Sequence, residues 1–249
     1  LFNNKSKKLV SNKKAHKSFI IKHIILFTFA KKDMNKIETV ILDFDGTIAD
    51  TKNSIIQTIQ ATLEILGLSK ANDNEIKNLI GLPLEETFIK AAQIKERGIL
   101  EEAIRIYREN YNSISLDTIQ LFPQVASTLQ NIYQRGITIT VASSKGRDAL
   151  LLLLNKLNIS QYISYTLGEQ DMVNKKPAPD MVLMILEQTQ STPQKTLVIG
   201  DTIYDIAMGR GANCLTCGVT YGYNTKEQLM KQGANHIVDC FGDVLGLCI

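Results

Sequence analysis

The chain has 249 residues, 44 % of them hydrophobic and 21 % charged, which suits one medium α/β domain with a smaller insertion and excludes a low-complexity polymer. Its net charge of +3 is uneven: residues 1–33 hold nine lysines against one aspartate, so they carry +8 while residues 34–249 carry −5. The mildly acidic body excludes the basic footprint of a nucleic-acid binder, and no apolar run is both long and unbroken enough to span a membrane.

Residues 1–33 start rich in lysine and asparagine and continue into an apolar stretch, 19–30, interrupted by Lys22 and His23. Met34-Asn35-Lys36-Ile37 reads as a natural beginning, so residues 1–33 are expected to be upstream or flexible sequence. A strand is predicted over 39–43, and it ends in Asp43-Phe44-Asp45-Gly46-Thr47. Alternate side chains of an extended chain point the same way, so Asp43 and Asp45 address one reacting group, as nucleophile and proton donor. Taken alone, the motif fits an acidic turn equally well.

Residues 54–117 read as helical. Ile55, Ile56, Ile59, Leu63 and Leu66 form one stripe, and Leu100, Ile104, Tyr107 and Tyr111 form another. A second strand is predicted over 137–142, followed by Ser143-Ser144-Lys145 at a strand-to-helix junction, where a hydroxyl and free amides suit an anion. Helices are expected over 148–157 and 179–190, the latter preceded by Lys175-Lys176-Pro177-Ala178-Pro179. A strand over 197–200 runs into Asp201-Thr202-Ile203-Tyr204-Asp205, with a helix over 203–209 and Gly211 as its stop. Strands over 214–219 and 236–238 complete a parallel sheet covered on both faces, in which ligands gather at the strands' carboxyl ends. Cys214 and Cys217 are three apart in a strand and face opposite ways, so buried reduced thiols are expected rather than a metal or redox pair. His16, His23 and His236 lie outside every cluster, which leaves a histidine-based mechanism without support.

The four clusters, in this order, resemble the haloacid dehalogenase superfamily of phosphohydrolases from Met34 to the C-terminus. Ile80-Gly81-Leu82-Pro83-Leu84-Glu85, Leu121-Phe122-Pro123, the run from Tyr221 to Glu227, and Gly233-Ala234-Asn235-His236 look most like its phosphoglycolate phosphatase branch. Two departures are Gln124 in place of the usual glycine and Ser144 in place of the usual asparagine. The resemblance implies a Rossmann-like, doubly wound parallel sheet (34–53 and 118–249) with a small helical cap (54–117) inserted after the first strand.

It further implies hydrolysis of a small phosphate monoester such as 2-phosphoglycolate through an aspartyl-phosphate. Asp43 is then the nucleophile, Asp45 the acid and base, and Ser143, Ser144 and Lys176 the phosphate holders. Mg²⁺ is held by Asp43, Asp45 through its carbonyl, Asp201 and Asp205. Pyrophosphatase and nucleoside monophosphate phosphatase activities are alternatives within the superfamily, as is a phosphate-binding module without turnover. Asp45 argues against a dehalogenase, whose halide leaves without a proton. Ile55 and Leu84 stand where a sugar-phosphate mutase carries histidine and arginine. The expected protein is cytoplasmic and a monomer or weak homodimer, with a small phosphorylated metabolite as its partner.

Overall fold

The computed structural model describes residues 36–115 and 118–248. The expectation for residues 1–33 lies outside them. Residues Ile37–Ile249 form one compact unit. In chain order it contains β1 (Thr39–Leu42), β2 (Ala49–Asp50), α1 (Lys52–Ile65), α2 (Asp73–Leu79), α3 (Leu84–Ala91), α4 (Arg97–Ser115), β3 (Gln120–Leu121), α5 (Val125–Gln134), β4 (Thr138–Ala142) and α6 (Arg147–Lys156). There follow β5 (Tyr165–Leu167), α7 (Asp180–Thr189), β6 (Thr196–Gly200), α8 (Ile203–Gly211), β7 (Leu215–Val219), α9 (Lys226–Gln232), β8 (His236–Val238) and α10 (Val244–Leu247).

Six strands form a parallel sheet in the order β5-β4-β1-β6-β7-β8. β1 is central because every residue of Thr39–Leu42 is apolar or β-branched and fully covered, as a strand with helices on both faces must be. Its two faces feed separate cores. Val40 and Leu42 join Leu129 and Ile132 of α5 and Leu150 and Leu153 of α6, whereas Ile41 joins Met181, Val182 and Ile185 of α7 and Met208 of α8. Cys217 belongs to the first core and Cys214 to the second, so the two thiols are separated by the sheet; all four cysteines are free.

The chain builds outward from β1 through β4 to β5, then returns to the other side of β1 with β6. This reversal makes a crevice at the carboxyl ends of the central strands. Register aligns those ends: Leu42 lies opposite Val141 and Ile199. Asp43, Ser143 and Asp201 each follow directly on a strand's last residue.

Helices α1–α4 lie between β2 and β3, which pair antiparallel with Ala49 opposite Leu121 and Asp50 opposite Gln120. α1 packs along α4. Ile55, Ile59, Leu63, Phe88, Leu100, Tyr107 and Tyr111 are buried among them. Phe88 meets Tyr107 edge-on at 6.1 Å, and Tyr107 stacks on Tyr111 at 5.4 Å.

Sequence expectations differ from the structure in several places. β5 and the helices α5, α9 and α10 were not assigned, and the two-residue strands β2 and β3 are too short for a periodic signal. Gly211 is not the stop of α8: the helix runs through it, caps at Ala212, and turns at Asn213 with φ +59°. Asparagine tolerates that left-handed conformation better than most residues.

Candidate active site

Asp43 stands at the end of the central strand, 8 % exposed, its N–H donating to Ile199 O at 2.9 Å. The loop after it folds back tightly: Ile48 and Ala49 donate to Phe44 O, and Gly46 donates to Ala49 O. Gly46 has φ +85°, and a β-carbon there would collide with Asp201 Oδ2 and the Tyr223 ring. Only glycine fits such a left-handed, crowded position. At Gly222 a β-carbon would likewise collide with the Asp201 side chain.

Lys176, preceding the α7 helix, is fully buried. Its ammonium donates to Asp43 Oδ1 at 2.6 Å and to Asp205 Oδ1 at 2.7 Å. Asp205 Oδ2 accepts from the N–H of Thr202 at 3.0 Å and its hydroxyl at 2.6 Å, closing a capping box at the start of α8. Asp201 accepts from Thr47 Oγ1 at 3.0 Å and from the Tyr223 N–H at 2.7 Å. Oxygens of Asp43, Asp201 and Asp205 all lie within 4.8 Å of one another, and all three residues are buried.

Three buried carboxylates facing one ammonium leave excess negative charge, and the electrostatics register it. Burial pushes Asp43 up to about 7; Lys176 opposes the rise, while the charges of Asp205 and Asp45 add to it. Asp201 is raised well above the usual carboxylate range by burial, then by Asp43 and Asp205. Burial alone would pull the Lys176 ammonium down, but Asp205 and Asp43 outweigh it and hold it above its ordinary value. A hard divalent cation fits this donor set, because it relieves carboxylates that are crowded and costly to ionise together. A carboxylate has about four acceptor positions. Asp205 uses three of them on Lys176 and Thr202, whereas Asp43 uses one and Asp201 two.

A cavity of about 270 Å³ opens above Asp43 and Asp45, and Ser143, Ser144 and Lys145 also line it. Lys176, Asp201 and Asp205 are not among its lining; they stand behind Asp43. Ser143 Oγ accepts the Lys145 N–H at 3.1 Å, and the Ser144 hydroxyl donates to Gly81 O at 2.8 Å, tying the second cluster to the loop before α3. The sequence clusters thus converge on one crevice, but the Asp45 side chain stands apart from the three crowded carboxylates. Its Oδ1 is buried without a hydrogen bond among the described residues, although the Lys145 ammonium lies 3.1 Å away as an ion pair.

Residue-by-residue reasoning missed Lys145, which is adjacent to the second cluster and 7 % exposed at its side chain. It also read Tyr107 and Tyr111 only as core, though both line the cavity from α4. Glu169, 5 % exposed, carried no sequence signal; it pairs with Arg108 of α4 at 3.0 Å and with Lys175 at 2.7 Å.

Known proteins resemble this chain in sequence and in fold. A phosphoglycolate phosphatase of Salmonella typhi is 30 % identical over 238 residues, covering 85 % of this chain and 94 % of that protein. The phosphoglycolate phosphatase of Escherichia coli K12 is 30 % identical over 236 residues, with the same coverage. A solved structure from Bacteroides fragilis, described as a haloacid dehalogenase-like hydrolase, superposes with a TM-score of 0.80 at 27 % identity, over 84 % of this chain and all of that one. Residues 40–219 match the haloacid dehalogenase-like hydrolase family, from the central strand to the end of β7. Matched to that family over most of its length and 30 % identical to phosphoglycolate phosphatases over 238 residues, the chain belongs to the haloacid dehalogenase-like hydrolases.

Proposed function

We propose that the protein is a Mg²⁺-dependent phosphohydrolase that cleaves a small phosphate monoester of the 2-phosphoglycolate kind through an aspartyl-phosphate on Asp43. The observation that carries this reading is Asp43 itself: it lines the cavity on one side and is held by a buried lysine on the other. The relatives named phosphoglycolate phosphatase support the choice of substrate.

In the first step an Asp43 oxygen bonds to phosphorus as the ester P–O bond breaks, and Asp45 gives its proton to the departing oxygen. In the second, Asp45 takes a proton from water as that water's oxygen bonds to phosphorus, releasing phosphate and restoring the Asp43 carboxylate. The Ser143 hydroxyl and the Ser144 N–H hold phosphoryl oxygens, and Lys176 fixes Asp43 in line. Asp43 and Asp201 would hold the cation with their side chains and Asp45 with its backbone carbonyl. Asp205, nearly saturated with donors, acts behind them by anchoring Lys176. Bound Mg²⁺ supplies positive charge that offsets the repulsion between carboxylate and phosphate dianion, on the order of several kcal/mol at intermediate dielectric. Water is kept from the reacting groups by α1 and α4, whose Ile55, Ile59 and Tyr107 roof the cavity.

Phosphate release from 2-phosphoglycolate with Mg²⁺ and with EDTA tests the activity, and beryllofluoride trapping tests the intermediate. The adduct is expected on Asp43, and an adduct on any other residue would overturn the assignment.

A further inference from the structure

We propose that Tyr111 and Lys145 form the subsite that receives the leaving group, and that it selects a leaving group bearing a carboxylate near the ester oxygen. The inference rests on the phosphohydrolase reading above and deepens it.

Tyr111 is 2 % exposed, and its hydroxyl is buried without a hydrogen-bond partner among the described residues. Its side chain lines the cavity above Asp43 and Asp45. The Lys145 ammonium lies 4.0 Å from the centre of the Tyr111 ring and 3.1 Å from Asp45 Oδ1, an oxygen that is itself without a hydrogen bond. An ammonium has three protons to donate. Here a ring face and one poorly directed carboxylate contact are what the described residues offer it. A buried phenol and a nearly buried ammonium both cost free energy unless they are paired.

One ligand group satisfies both: a carboxylate, anionic for the ammonium and rich enough in acceptor positions to take the phenol proton as well. Of the neighbouring cations, Arg108 and Lys175 already share Glu169 as ion-pair partner, and the Arg108 side chain is half-exposed to water. Asp148, the other acid of the lining, is exposed, so water screens it. Placement fixes where on the substrate the carboxylate lies. Asp45 protonates the ester oxygen, and Lys145 and Tyr111 are beside Asp45, so the carboxylate must sit one or two carbons from that oxygen.

The test measures affinity and turnover separately, both in Mg²⁺. Calorimetry on Asp43→Asn compares 2-phosphoglycolate with ethyl phosphate, an ester of equal chain length without the carboxylate. We expect the former to bind roughly tenfold to a hundredfold tighter, as for hydrogen bonds to a charged group. Adding Tyr111→Phe, which removes one oxygen and changes no charge, should narrow that ratio severalfold, and adding Lys145→Met should abolish most of it. An unchanged ratio in both double variants, or none in Asp43→Asn itself, overturns the subsite. If the ratios behave as expected while the unmodified protein releases phosphate from neither ester, the hydrolase reading fails and the carboxylate subsite stands. If phosphate is released with the ratio insensitive to both substitutions, the reverse holds.

Discussion

Asp43 is held in a state the fold resists. Burial first, then the charges of Asp205 and Asp45, raise it to about 7 against the pull of Lys176. A carboxyl raised in the folded state contributes stability that is complete below its unfolded value, near pH 4, and is lost as the pH climbs through about 7. In EDTA, Asp43→Asn should therefore melt above the unmodified protein at pH 8. The gap should close toward pH 4, and turnover should be absent throughout. Scanning calorimetry across that range is the check, and an Asn variant that melts lower at pH 8 would contradict the crowding argument. Because protons and cation compete for the same oxygens, Mg²⁺ should raise the melting temperature more at pH 8 than at pH 5; an equal rise at both would count against these carboxylates as the ligands. The acids of this site were legible because each ends an apolar run. Lys145 and Tyr111 were harder, since reach across a cavity between two separate segments leaves no trace in spacing.

At the scale of elements, α8 shows how one cap serves both folding and the site. Thr202 caps the helix and donates its hydroxyl to Asp205 at 2.6 Å. Thr202→Ala should cost about 2 kcal/mol in urea unfolding, combining a lost cap with a buried carboxylate short of one donor. Thr202→Ser should retain most of that stability, and equal losses in the two variants would show that the hydroxyl is irrelevant. Strands that run into a chemical cluster were readable within a residue or so of their ends. Tyr165–Leu167 was not: it ends in no such cluster, and its place on the sheet is set by its pairing with β4. Gln124 is similar: it adopts φ +65° at the start of α5, a conformation that glycine takes more easily. Glutamine by itself does not announce such a turn; the glycine that the resemblance places at this position does.

For the whole molecule, the two cores on opposite faces of the sheet shield three of the four cysteines. Burial pushes Cys214 and Cys217 up to about 12 and Cys248 to about 11, while Cys240 is only half-buried. Since the thiolate is the reactive form, iodoacetamide should label Cys240 well before the other three in the native protein, as peptide mass spectrometry can follow. Comparable early labelling of Cys217 would mean that the core opens readily. No helix among the described residues is long and apolar enough to cross a membrane.

The joint between the sheet and its helical roof has a consequence for how such proteins diversify. Ala49 and Asp50 leave beside the returning Gln120 and Leu121, and paired antiparallel strands lie about 5 Å apart, a gap that a two-residue turn bridges. Everything between can be exchanged for a larger, smaller or differently charged lid, or trimmed to a hairpin, with the register of the six strands untouched. Selection can thus retune which esters are admitted without disturbing the residues that cut them.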